Sequence, residues 1–303
     1  MSDDELCELI QTLDDELIAQ GAEPWQRELA IESRLSEKLR VSYVIGDTRH
    51  QPRHVRLLRR YFEQHYRRKD LFMPPLHVGA FLFRDLFFPV RIPLIFGSPT
   101  LDLRTFLVDA TDSQKELIFG ERTSLMTFCD QVLDLLDFVY GLDDVGKEGK
   151  LQERTIELWN LAKQQLEAAS ATTLGSFTKY AIVQNCCVAV ELLLKGVLIQ
   201  EGVPERLLSS TKRGYGHDLP SMAEKVCHAS SGMDFDLVLG AVSRMPDYVH
   251  TRYNDVRLTR VQLGHLLMSS HYIAGEILRC HSDRCFRREA HSQTRLYPPN
   301  TVK

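Results

Sequence analysis

Between residues 180 and 199 the chain reads YAIVQNCCVAVELLLKGVLI. Wound as a helix, this stretch is apolar on more than one face, and its charged residues are a single pair, Glu191 and Lys195. Such a helix cannot lie against water. It belongs inside a helical core or against a second copy of itself. The pair stands four residues apart with the acid N-terminal, the favourable order on a helix. Gly202 and Pro204 stop the helix, and Gly216-His217-Asp218-Leu219 opens the next, with Asp218 as N-cap and Pro220 tolerated in the first turn.

The remaining pattern is mostly helical. Residues 3 to 23 carry eight acids and no Lys or Arg, with Leu6, Leu9, Ile10, Leu13, Leu17 and Ile18 at helical spacing. This predicts an amphipathic helix with an acidic outer face, closed by Gly21. A second helix follows from Pro24 to Leu39. Residues 49 to 69 invert the charge, with seven Arg and one Lys against Glu63 alone. Arg49, Arg53, Arg56 and Arg60 share one face, and Leu58, Tyr61, Phe62 and Tyr66 form the inner side. The acidic helix is expected to dock on this basic one or to screen it.

From residue 71 to 108 the texture becomes aromatic and β-branched (LHVGAFLF, FFPVRIPLIF, LDLRTFLV), predicting two or three short strands. Pro89 and Pro93 demote the middle one to an edge or to a non-strand segment. Helical spacing returns from Asp112 to Tyr140. GLDDVGKEGK, residues 141–150, has three glycines and no periodicity, and is the expected linker. Beyond it, helices are expected over 177–199, 219–226, 235–242 and 258–278. The fold expected is therefore mainly α: an N-terminal helical domain over 1–145 with a short β or extended insert, a helical bundle over 150–282, and a flexible basic tail over 283–303. A length of 303 residues suits about two domains of roughly 100–200 residues each.

A net charge of −4 argues against uniform coating of nucleic acid and leaves local patches as the place to look. The start lacks a secretory pattern, and the seven scattered cysteines read as reduced thiols, so a cytoplasmic protein without a membrane span is expected. Cys280, His281 and Cys285 lack a matching second pair, so no metal is expected. The chain also lacks a Gly-rich phosphate loop, GxSxG and HExxH, so no cofactor is expected.

Taken in order, residues Thr155 to Arg279 carry a first helix, the AVELLLK helix, GHDL, an Arg and a His at short spacing, the TRYND segment and a last apolar helix. This succession resembles the HEPN family of small helical bundles. The resemblance implies a bundle that pairs into a homodimer through its long helices. It further implies binding of a nucleotide or RNA, in a setting such as stress response or antiphage defence. In many members an Arg and a His, with four to six residues between them, cleave RNA without a metal, and Arg244 and His250, with five between them, stand in that relation here. The chemistry suits the residues. A His moves the 2′-hydroxyl proton, and a forked cation holds the phosphate. Six residues advance a helix by about 600°, so the two side chains converge only across a kink at Pro246 or across a dimer.

A second alignment places Arg252 and Tyr253 in the non-catalytic branch of the family, where Arg252 contacts a phosphate and Tyr253 stacks or packs. Glu191, Lys195, His217 and Asp218 match family positions near that site. Their structural roles are a pair that orders the bundle and a helix cap. Three readings thus stand: a nucleotide- or RNA-binding module, an endoribonuclease using Arg244 and His250, and a purely structural or dimerising bundle.

Overall fold

The computed structural model describes residues 1–41, 51–97, 99–175, 180–210, 214–230, 232–251, 257–290 and 295–297. Among them the chain is mainly α-helical, with one two-stranded sheet. It divides into two compact units, Met1–Pro74 and Pro75–Lys303.

The first unit is built from α1 (Asp3–Ala19), α2 (Pro24–Leu39) and α3 (Arg53–His65). Ser2 and Glu5 form a reciprocal capping box at the start of α1, which satisfies two otherwise orphaned N–H groups. Leu6, Ile10 and Leu17 of α1 pack with Ile31 and Leu35 of α2 and with Leu58 and Phe62 of α3. Asp14 departs from the expected acidic outer face. It is buried, and its carboxylate accepts from Arg27 at 3.0 Å, from the Tyr61 hydroxyl at 3.3 Å and from the Tyr66 hydroxyl. A buried carboxylate persists only where such donors replace water.

The expected docking of α1 on α3 is observed, with Asp3 paired to Arg53. Screening is not. Asp14 and Glu16 turn to Arg27 and Arg34 of α2, and Arg53, Arg56 and Arg60 stay exposed. Removing α1 therefore takes away core side chains rather than a shield.

The second unit opens with the hairpin β1 (His77–Phe83) and β2 (Leu86–Ile92), with Ala80 opposite Pro89. In a two-stranded sheet both strands are edges, so a proline without an N–H is tolerated there. The expected third strand is instead a one-turn 3-10 helix, Leu103–Phe106, touching β2 through a single bridge from Leu107 to Val90. Then come α4 (Asp112–Gly120), α5 (Arg122–Glu148), α6 (Glu153–Gly175), α7 (Ile182–Gln200), α8 (Glu205–Ser209), α9 (Leu219–Ala229), α10 (Phe235–Val242), α11 (Tyr248–Thr251), α12 (Arg260–His281) and α13 (Phe286–Glu289).

The long apolar helix of the sequence is α7, surrounded by α6, α9 and α12. None of its residues is exposed. Most of its apolar side chains are buried within one chain, and Val188 and Leu192 stay half-buried. By length and composition α7 could cross a membrane, yet most of it is buried within the protein. Thr155 donates to the Gly196 carbonyl at 3.0 Å, and the Trp159 indole to the Leu193 carbonyl at 3.1 Å. These bonds bring α6 close against α7.

Two expectations are corrected here. The stretch 141–150 is not a linker: α5 runs through it to Glu148. Gly141 is buried against α12, where a Cβ would lie 3.0 Å from Leu278 Cβ, and Gly149, at φ 65°, caps the helix end. The division falls after Pro74 instead, because β1 and α5 share a core with α6 and α12. Nor is the described part of the C-terminal tail loose. Arg287 and Arg295 reach Asp130 and Asp134 of α5 at 2.6 and 2.7 Å, and the Tyr297 side chain is buried.

Candidate functional site

Glu191 lies midway along α7, where the surrounding helices bury it, and a lysine and a histidine meet its carboxylate. Lys195 Nζ reaches Oε1 at 2.6 Å, one helical turn on. His217 Nδ1 stands 3.0 Å from Oε2, delivered by the tight turn Tyr215–Asp218 that precedes α9. Gly216 adopts φ 54° in that turn, a conformation open to glycine at little cost. The Tyr248 hydroxyl, from α11, lies 2.9 Å from the same Nδ1. The Glu191 and Lys195 side chains are 10% and 14% exposed and His217 is 40% exposed, so a buried ion pair supports a partly open imidazole.

His217 and Tyr248 of this cluster line a pocket of about 550 Å3, together with Tyr215, Asp218, Met245 and Asp247 among others. Both aspartates are helix caps. Asp218 accepts from the Ser221 N–H at 3.1 Å and from the Ser221 hydroxyl at 2.7 Å. Asp247 accepts from the Val249 and His250 N–H groups at 3.2 and 3.1 Å. Cys187 lies behind the pocket, its Sγ 3.9 Å from the Pro246 carbonyl. Burial pushes this thiol well up, and the nearby carboxylates of Glu191 and Asp247 add to the effect, so it offers no thiolate nucleophile.

Of the residues singled out in the sequence, Glu191, Lys195, His217 and Asp218 are brought together here. Arg244 and His250 do not line the pocket. Pro246 separates them: Arg244 lies exposed in the turn after α10, and its charge acts on His265 and Tyr297. His250 sits on α11, also on the surface. Arg252, Tyr253 and Arg49 lie outside the described residues. Arg53, Arg56 and Arg60 belong to the first unit, on the solvent side of α3.

Sequence reasoning missed Tyr248, 2% exposed and in contact with His217, and its cap Asp247. An Asp directly after a Pro and ahead of an apolar pair is a helix-start signal that would have flagged both. It also missed Asp130, Asp134 and Asp137, spaced four and three on α5, each 1% exposed. Four carboxylates, these three and Glu276, gather around Arg279, Arg287 and Arg295.

The fold and the pocket together define a mainly α-helical protein with a carboxylate-oriented histidine at a surface cavity. No family model, no curated protein and no solved structure matches the chain.

Proposed function

We propose that the protein is a HEPN-like nucleic-acid-binding module that engages RNA through the basic face of α3. The observation that carries this reading is the exposed row Arg53, Arg56 and Arg60, followed by exposed Arg67, Arg68 and Lys69. Asp3 takes Arg53 and Asp70 takes Arg67, while no acid pairs with Arg56 or Arg60 among the described residues. Guanidinium groups on one helix face suit a row of phosphates, because each contact releases condensed counterions. The order of motifs over Thr155 to Arg279 supports the HEPN-like part of the reading.

Fluorescence anisotropy of a labelled single-stranded RNA across a salt series tests the proposal. Replacing Arg56 and Arg60 together by Ala is expected to weaken binding and to lower the log–log salt slope by about 1.4, that is roughly 0.7 for each phosphate no longer neutralised. Unchanged affinity and slope would remove α3 from the interface.

A further inference from the structure

The pocket above Glu191 has a recognition chemistry of its own, separate from the nucleic-acid surface. Its volume of about 550 Å3 is that of a small-molecule site. The hydrogen-bonding character of its lining follows from one contact. A carboxylate oxygen accepts, so where the Glu191 carboxylate faces His217 Nδ1 at 3.0 Å the hydrogen of that nitrogen is directed to it, and the Tyr248 hydroxyl at 2.9 Å from Nδ1 closes the same edge of the ring. In the neutral imidazole this leaves Nε2, on the opposite edge of the ring, as an acceptor, by the logic through which a carboxylate selects the tautomer of a catalytic or ligating histidine. Asp218 and Asp247 are acceptors by nature, and their cap hydrogen bonds leave their charge in place. Lys195 does not line the pocket and spends its charge on Glu191. The remaining lining is apolar or aromatic, Tyr215, Met245 and Tyr248 its largest side chains.

Among the described residues, the charged groups that line this cavity are carboxylates and its walls are largely apolar or aromatic, and such a cavity selects a ligand with the opposite attributes. We propose that this pocket binds a small organic cation, an amine or amidine carried on an apolar or aromatic body. Its N–H groups are accepted by His217 Nε2 and the rim carboxylates, and its body lies against Tyr215 and Met245. An aromatic ring beside a desolvated cation adds to the attraction.

Benzamidine is a suitable probe, with benzoate and adenosine monophosphate as anionic counterparts. Saturation-transfer NMR on the full chain reads binding, and competition reads whether the site is shared. Asn also caps helices well, so a D218N/D247N variant removes both charges and keeps α9 and α11 capped. Benzamidine is expected to bind the wild type and to bind the double variant roughly tenfold more weakly, the scale of two partly exposed charge interactions. H217A is expected to weaken it as well, and R60A to leave it unchanged, which separates this site from α3. Three outcomes would overturn the proposal: no transfer at millimolar benzamidine, displacement by the benzoate or the nucleotide, or equal binding by the folded double variant.

Discussion

Gly196 shows how much one hydrogen atom can decide. A Cβ placed there would sit 2.3 Å from the Trp159 indole nitrogen, the donor that holds α6 to α7. Alanine is the better helix former by about 1 kcal/mol. Overpacking at a closed contact costs about 1–3 kcal/mol, and here a hydrogen bond is displaced as well. The clash wins. Gly196→Ala is expected to lower the urea midpoint by a net 1–2 kcal/mol equivalent, on the order of that difference. Gly146 makes the control. It lies exposed on α5 with nothing near its missing Cβ, so Gly146→Ala is expected to stabilise by about 0.5–1 kcal/mol. Equal shifts in the two variants would mean that α6 moves aside freely.

Among the elements, α5 and the C-terminal segment depend on each other. Asp130 is satisfied by Arg287 at 2.6 Å and by the Leu296 and Tyr297 N–H groups at 2.8 and 3.0 Å. Asp134 takes Arg295 at 2.7 Å and Arg279 at 3.1 Å. Burial still pushes the Asp137 carboxyl up, although Arg279 opposes it, as expected where carboxylates outnumber guanidiniums. A chain ending at Arg284 would leave Asp130 buried without its partners. Breaking a buried pair in this way costs about 3–5 kcal/mol, so the melting temperature should fall sharply. Adding Asp130→Asn to the shortened chain should recover part of the loss. A truncation that melts like the full chain would show that α5 does not need the strap.

Across the whole molecule, histidines in both units are held neutral by burial. Desolvation lowers His54 in the first unit, and His77, His265, His271 and His281 in the second. His77 and His271 meet at 3.0 Å, joining β1 to α12, and His77 adds to the burial that holds His271 neutral. The sign of the pH dependence follows. Below the ordinary value of 6.5 the unfolded chain takes up protons that the folded chain refuses. Stability is therefore full above that value and is lost as the pH falls beneath it, by up to about 1.4 kcal/mol per pH unit for each such group. Melting curves between neutral and mildly acidic pH should show this decline, and His271→Gln should flatten it. A melting temperature that holds steady through that range would mean that these rings already carry protons in the fold.

What the sequence determined by itself was local. Periodicity and caps marked α1, α2 and α10 closely and the C-terminal end of α7, and the i,i+4 pair of Glu191 and Lys195 forms as its spacing dictates. Apolar character on all sides of α7 demanded a core around it, and that core exists. The tertiary structure decided which charges go inside. Asp14 looked like one more surface acid, and Asp134 like an ordinary polar position, until Arg27, Arg279 and Arg295 came to them from other elements. It also turned an apparent glycine linker into a helix packed on Leu278, and set Tyr248 beside His217 to make a pocket. Hydrophobic spacing is written within a few residues of each position. The cost of burying a charge depends on partners far along the chain, and only the folded chain brings them into contact.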